Sequence, residues 1–352
     1  MEIFIAIVLL IVGIALIVKG GDFFVDAASW IAEVSGIPPL LVGATIVSVA
    51  TTLPELIVSI IATVSGSVEI AVGNAVGSVV ANLGLIMAIS LICMPGKINR
   101  KEYWFKSAVL VVAVLNLFLA CFGGAVNESG LHTLSVGLGL VVFELFIVFV
   151  AENVITALRA IKHPITAEST GATVEMSAGG APASEKAGSE EETAPVAKDK
   201  KTVIINILKF LGGAAGIVGG AELLVRYGQQ LALLAGVPEG IIAVTLVAIG
   251  TSLPELVTTI SAIIKKKASI SVGNIIGANI LDITMILPIC AMVSGGALVV
   301  PREALLLDLP FCLGLSLIAV VPMLITKKFH RWQGIALIAV YAAYLTLRII
   351  LT

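Results

Sequence analysis

The sequence predicts an all-α integral membrane protein with ten transmembrane helices in two inverted five-helix repeats. Three observations carry the prediction. Hydrophobic residues make up 59% of the 352 and charged residues only 12%, with a mean hydropathy of +1.12; a soluble domain is about half apolar and about a quarter charged. Apolar runs near the length that crosses a bilayer, about 20 residues, occur at 3–20, 38–64, 69–94, 104–123, 132–158, 203–226, 238–264, 269–294, 303–325 and 332–351. The stretch from Gly43 to Ile86 then recurs in the second half, 200 positions later and without a gap. The first copy carries Thr51-Thr52-Leu53-Pro54-Glu55-Leu56, Gly73-Asn74-Ala75-Val76-Gly77-Ser78 and Asn82. The second carries Thr251-Ser252-Leu253-Pro254-Glu255-Leu256, Gly273-Asn274-Ile275-Ile276-Gly277-Ala278 and Asp282. A repeat of this kind sets the architecture before any single residue is weighed.

Taken in order, the first run lacks a basic leader and a convincing cleavage site, so it is expected to stay as a helix. Runs two and three carry the first motif, and the link after run three holds Lys97, Arg100 and Lys101. The links after runs two and four have no Lys or Arg. Residues 162–201 hold Lys162, Lys186, Lys198, Lys200 and Lys201, and from 164 onward are rich in Ser, Ala, Gly, Glu and Pro. They read as a disordered cytoplasmic linker, a passive tether unless the Glu190-Glu191-Glu192 cluster regulates. Runs seven and eight carry the second motif; Lys265, Lys266 and Lys267 follow run seven, and Lys327, Lys328 and Arg331 follow run nine. Positive charge marks cytoplasmic loops, so odd-numbered links are cytoplasmic and both termini are outside. The link after run one has the weakest signal, with Lys19 set against Asp22, Asp26 and Glu33. Five runs per copy force the second copy to enter the membrane with opposite polarity, the plan of many secondary transporters. The domains are therefore 1–161 and 202–352, the two repeats, joined by 162–201. Gly20 with Gly220, Gly36 with Gly236 and Pro38 with Pro238 extend the match beyond the motifs.

The repeated motif puts a carboxylate beside a proline inside apolar sequence. Pro54 has no N–H and crowds the carbonyl four residues back, at Ala50, loosening carbonyls there from the helical ladder. At membrane depth such groups need another partner. Glu55, Thr51 and Thr52 add carboxylate and hydroxyl oxygens, and Glu255, Thr251 and Ser252 do the same in the second copy. An all-oxygen shell suits hard cations such as Ca²⁺ and Na⁺. Asn74, Ser78 and Asn82 form a polar stripe at helical spacing, echoed by Asn274 and Asp282 with Ala278 interrupting it. A lone intramembrane glutamate could be half of a structural ion pair. Here two recur in register with no basic residue in either motif, and two uncompensated carboxylates in an apolar interior would cost severely. The glycines of Gly73-x-x-x-Gly77 and Gly273-x-x-x-Gly277 are read as helix-packing positions.

Other residues say less. Cys93, Cys121, Cys290 and Cys312 lack metal-ligand or paired spacing, and His132, His163 and His330 lie near membrane ends. Glu144 is a buried-carboxylate candidate without a repeat partner. A net charge of −2 argues neither for nor against any partner; nothing resembles a basic nucleic-acid patch, so no nucleic acid is expected. No H-E-x-x-H or G-x-S-x-G is present, so no enzyme and no cofactor are expected; the partners are the bilayer and transported ions.

At these motifs the chain resembles the cation/Ca²⁺ exchanger superfamily, most closely its prokaryotic Na⁺/Ca²⁺ exchanger branch, over nearly its whole length except 164–201. The resemblance implies ten helices in two inverted repeats, with the four motif-bearing helices as a core and helices one and six sliding against it. It implies that Glu55 and Glu255 are central Ca²⁺ ligands, with the carbonyls of Thr51 and Thr251. It implies that Thr51, Thr52, Thr251 and Ser252, with Ser78 and the carbonyls of Ser48 and Ala248, form flanking Na⁺ sites, and that Asn82 and Asp282 line the middle. The sequence departs from the family at Ala278, where relatives carry a serine that ligates Na⁺, at Thr52 for serine, at Ala50 for glycine and at Ser48 for alanine.

The implied activity is secondary active exchange of Ca²⁺ for Na⁺ across the cell membrane. Two glutamates neutralise one Ca²⁺, so more than two Na⁺ in its place would make transport electrogenic. Asp282 is expected to carry a proton when the cation is bound. Ca²⁺/H⁺ exchange is the first alternative; the proton-coupled branch has a glutamate soon after its Gly-Asn motif, where Gly77 and Gly277 stand. K⁺ co-transport is a second, since some K⁺-dependent relatives carry aspartate at the Asp282 position. A cation channel would more naturally build its pore from oligomeric symmetry.

Overall fold

The structure, a computed structural model, describes residues 2–162, 199–234 and 252–351. Almost all of the expected linker, most of run seven, and the predicted site positions Ala248 and Thr251 lie outside the described residues. The helices are α1 (Glu2–Ser35), α2 (Pro39–Val64), α3 (Val68–Cys93), α4 (Arg100–Phe122) and α5 (Val136–Lys162) in the first half. In the second half they are α6 (Lys200–Leu234), α7 (Leu253–Ile264), α8 (Ala268–Val293), α9 (Ala304–Thr326) and α10 (Arg331–Leu351). Among the described residues, nine are long and apolar enough to cross a membrane; α7 is a shorter apolar helix.

Two helices outrun their expected spans. Run one was bounded at 3–20, but α1 continues through Lys19-Gly20-Gly21-Asp22 to Ser35. Its second half buries Phe24, Val25, Ala27, Ala28 and Ala32. Its acidic residues meet the link after α7: Lys265 Nζ lies 2.6 Å from Asp26 and 3.9 Å from Asp22, and Lys267 Nζ 3.3 Å from Glu33. The charges that ended the apolar run are therefore ion-paired helix surface. In the same way α6 begins at Lys200, inside the expected linker, because Asp199 accepts from the backbone N–H (3.3 Å) and the hydroxyl (2.6 Å) of Thr202 and caps the free N–H groups of the first turn.

Glycines 13 and 20 of α1 meet glycines 220 and 213 of α6 crosswise, so the two helices run antiparallel. A Cβ on Gly20 would sit 2.8 Å from the Gly213 carbonyl oxygen, and a Cβ on Gly213 2.8 Å from that of Gly20. Only hydrogen at both positions permits this backbone approach.

The middle of the molecule is α3 and α8, with 72% and 83% of their apolar stretches buried, against 22% for α1, α5, α6 and α10. Leu83, Ile86, Leu110, Leu117, Ile276, Ile280 and Leu315 form the core that joins them to α4 and α9. Apolar side chains such as Phe4, Ile11, Ile204 and Leu211 point outward, as a lipid-facing surface requires. Short antiparallel pairs close the two ends. β1 (Gly96–Lys97) pairs with β4 (Lys328–Phe329), and β2 (Thr133–Ser135) with β3 (Ala297–Val299). The link after α3 thus meets the link after α9, and the link after α4 meets the link after α8.

Candidate functional site

Glu55 does not sit in a broken helix. The segment Ser48–Val64 of α2 is continuous α-helix with Pro54 inside it, so the disruption is confined to the N–H that proline lacks. The irregularity lies about two turns earlier, in a π-helical segment at Gly43–Val47. Of three further π-segments among the described residues, Asn82–Met87 in α3 and Asp282–Ile286 in α8 each begin on a predicted site residue, and the other is Ala304–Asp308 in α9. A π-turn inserts an extra residue into the helix and re-aims side chains there, and such turns concentrate at functional sites. The sequence analysis missed all four. The signal available was the matched placement of Asn82 and Asp282 inside otherwise apolar helix.

Close packing of α8 on α2 brings the two halves together. A Cβ on Gly277 would lie 2.5 Å from the Ala44 carbonyl oxygen and 2.7 Å from Ser48 Oγ. Gly277 is thus a packing position, as expected, and its packing sets Asn274 against Thr51. The Thr51 hydroxyl donates to Asn274 Oδ1 at 3.2 Å and to the Ser48 carbonyl at 3.3 Å, and it also faces the Glu255 carboxylate. Asn74 is used differently. Its amide donates to the Glu55 carbonyl (3.2 Å) and to Ser59 Oγ (3.0 Å), pinning α3 to the backbone that carries Glu55.

Every predicted site residue among the described ones is enclosed: Ser48, Thr51, Thr52, Glu55, Ser78, Asn82, Ser252, Glu255 and Asp282 are all at most 3% exposed. Glu55 lies within electrostatic reach of Glu255 and Asp282, and Asp282 of Glu255. Eight buried oxygens in this group have no hydrogen-bond partner among the described residues: both carboxylate oxygens of Glu55, Glu255 Oε2, Asp282 Oδ1, Asn82 Oδ1, Thr52 Oγ1, Ser78 Oγ and Ser252 Oγ. None of the three carboxylates forms an ion pair among the described residues, where Lys106, Lys265, Lys267 and Arg348 pair elsewhere. Buried polar groups are ordinarily satisfied, and buried charges paired or metal-bound. No three His, Cys, Asp or Glu side chains among the described residues converge closely enough to chelate a metal alone. A cation held here therefore draws on hydroxyl, amide and carbonyl oxygens as well. Such a donor set fits a hard cation that is taken up and released.

Other expectations are corrected or extended. Glu144 is exposed on the outer side of α5, beside Leu140, Val141, Ile147 and Val148, and is not a buried carboxylate. His132 stacks on Phe122 at 5.8 Å and His330 contacts Thr326 Oγ1 at 2.9 Å, both at helix ends. Cys121, Cys290 and Cys312 are buried and Cys93 exposed, all unpaired. Sequence reasoning missed Ser59, Thr258, Thr259 and Asn279, buried polar residues on the site helices; the match of Ser59 with Thr259 at the repeat offset could have flagged that pair. It also missed two intramembrane ion pairs, Lys106–Glu152 at 3.6 Å and Arg348–Asp308 at 3.5 Å, the second supported by Tyr344 OH donating to Asp308 at 3.1 Å.

A helical membrane protein with unpaired carboxylates from both halves at its centre is a cation transporter by class. Comparison with known proteins makes this specific. The sodium/calcium exchanger protein family matches residues 5–154 and 205–350, and the chain belongs to that family. It is a Ca²⁺/Na⁺ antiporter and not an enzyme. The sodium/calcium exchanger MaX1 of Methanosarcina acetivorans is 30% identical over 354 residues, covering 96% of each chain. The uncharacterized membrane protein MJ0091 of Methanocaldococcus jannaschii is 28% identical over 337 residues, covering 94% of each. A solved structure of the sodium-calcium exchanger NCX_Mj superposes with a TM-score of 0.74 at 25% identity, covering 97% of both chains.

Proposed function

We propose that the protein carries Ca²⁺ and Na⁺ alternately through one central site, by alternating access and with net movement of charge. Glu55 and Glu255 are the Ca²⁺ ligands, with the carbonyls of Thr51 and Thr251. Thr52, Ser252, Ser78 and the carbonyls of Ser48 and Ala248 serve Na⁺, and Asn82 and Asp282 line the middle. The observation that carries this reading is the set of eight buried oxygens, drawn from both halves of the chain, that have no partner among the described residues. Two glutamates balance one Ca²⁺, so replacement by more than two Na⁺ leaves a net positive load.

Ten helices in two inverted repeats, 1–161 and 202–352, form the working unit. The 200-residue offset supports this, as do the crosswise glycine contacts of α1 and α6 and the pairing of odd links with odd and even with even. The lysine-rich links place the odd side and residues 162–201 in the cytoplasm and both termini outside the cell membrane.

The test is ⁴⁵Ca²⁺ uptake into proteoliposomes with a Na⁺, H⁺ or K⁺ gradient imposed singly, under a clamped potential. An outward Na⁺ gradient should drive uptake, and an inside-positive potential should change its rate in the direction of the net charge carried. Uptake that follows the H⁺ gradient and ignores Na⁺ would hand the site to proton coupling.

A further inference from the structure

The two halves of the chain carry the same asparagine at the same place, and the structure uses the two differently. Asn74 of α3 and Asn274 of α8 match at the 200-residue offset, as do Ser59 of α2 and Thr259 of α7, one turn after Glu55 and Glu255. In the first half the Asn74 amide donates to the Glu55 carbonyl at 3.2 Å and to Ser59 Oγ at 3.0 Å. That fixes α3 to the stretch of α2 carrying Glu55. The second half has the same groups, unconnected. Asn274 Nδ2 and Thr259 Oγ1 both lack a hydrogen-bond partner among the described residues, and both residues are fully buried. Asn274 is held instead from the other repeat, its Oδ1 accepting from the Thr51 hydroxyl at 3.2 Å.

Buried donors and acceptors are ordinarily paired. An asparagine amide donates and a threonine hydroxyl accepts, so Asn274 and Thr259 have the complement that Asn74 and Ser59 use on each other. The sequence supplies the second pair and the conformation withholds it. The carboxylates share the bias: both oxygens of Glu55 lack a partner among the described residues, but only Oε2 of Glu255 does. In a protein built of two inverted repeats, exchanging the conformations of the halves turns a structure accessible from one end into one accessible from the other. A contact made in one half and left open in its repeat equivalent is then a contact that changes sides.

We propose that Asn74 and Asn274 are positioning residues that work in alternation. In the state described here, Asn74 fixes the Glu55 backbone and Asn274 rests on Thr51. In the oppositely facing state, Asn274 fixes the Glu255 carbonyl and Thr259 Oγ1, and Asn74 releases Ser59. Each asparagine acts through the helix that carries its glutamate and is not itself an ion ligand. The two hydroxyls differ in a way that can be measured, because each serves one state only: Ser59 the present one, Thr259 the opposite one.

The test uses the full-length protein in right-side-out and inverted membrane vesicles. Na⁺-driven ⁴⁵Ca²⁺ flux gives the Ca²⁺ concentration for half-maximal transport at each face. Apparent affinity at a face scales with the fraction of empty carrier open to it, so the ratio of the two concentrations reads the balance between states. Ser59→Ala and Thr259→Val should move that ratio in opposite directions, each by about fivefold, the weight of one hydrogen bond. The double variant should return it toward wild type. Thr259→Val should melt no lower than wild type, since it removes at constant shape a buried hydroxyl that has no partner among the described residues. A merely structural role would weaken transport at both faces and leave the ratio in place. Any pattern other than opposite shifts, or a lower melting temperature for Thr259→Val, overturns the alternation. The inference rests on the central-site reading: wild-type vesicles without Na⁺-driven Ca²⁺ flux would sink that reading and the inference with it, whereas normal flux with unmoved ratios sinks the alternation alone.

Discussion

Glu55 is the residue on which the site turns. It is 1% exposed, both its oxygens are without a hydrogen-bond partner among the described residues, and its neighbours Glu255 and Asp282 carry the same charge sign. On the proposed reading, Glu55 costs stability when the site lacks a cation and is satisfied when a cation is bound. Glu55→Gln and Glu255→Gln should therefore keep or raise the melting temperature in the absence of Ca²⁺ and abolish the rise that Ca²⁺ produces in wild type. Uptake should fall at least roughly a hundredfold, the consequence of removing a buried charge worth about 3 kcal/mol to its partner. Wild-type uptake by either variant would remove the carboxylates from the site. Ala278 makes a finer prediction. It is fully buried at the position matching Ser78, whose hydroxyl is one of the unpartnered oxygens. Ala278→Ser adds an oxygen where the repeat already provides one. It should lower the Na⁺ concentration for half-maximal Ca²⁺ movement and leave Ca²⁺ affinity nearly unchanged, as read from Na⁺ titrations of flux. An unaltered Na⁺ dependence would mean that Ala278 faces away from the Na⁺ site.

The helices show what a repeat in sequence does and does not reveal. Motif and composition located α2, α3, α7 and α8 because apolar length and offset are one-dimensional properties. The π-segments were not readable, since weak helix formers such as Asn82, Gly84, Asp282 and Thr284 mark a departure without saying which kind; the extra residue is absorbed by packing in three dimensions. The true length of α1 was hidden for a related reason. Asp22 and Asp26 look like the end of a span until Lys265 is known to lie beside them. The α1–α6 crossing gives a prediction at this level. Gly20 abuts the Gly213 carbonyl, whereas Gly219, on the same pair of helices, has nothing within 4 Å among the described residues. Gly20→Ala should lower stability by about 1–3 kcal/mol, the usual cost of overpacking, and Gly219→Ala should be close to neutral. Thermal melts of the two purified variants decide it, and equal melting temperatures would mean the crossing is looser than the backbone distances imply.

Over the whole molecule, charge in the links carried more information than any single helix. The positive-inside pattern grouped the odd links before any contact was known, and the structure joins links three and nine through β1 and β4 and ties link seven to the second half of α1. The grouping was readable because topology is set residue by residue, by which loops hold Lys and Arg. The ion pairs inside the bundle were not readable, because Lys106 with Glu152 and Asp308 with Arg348 are separated by tens of residues and belong to no repeat motif. Labelling reads which end of the bundle faces the cytoplasm. Ser129 lies exposed in link four and Lys266 exposed in link seven, at opposite ends of the bundle if the repeats are inverted. In a Cys93→Ser background, which removes the exposed native thiol, Ser129→Cys should react with an impermeant maleimide in intact cells. Lys266→Cys should react only after lysis. The reverse pattern would turn the molecule over in the membrane and place the linker outside, and labelling of both from one side would break the inverted arrangement itself.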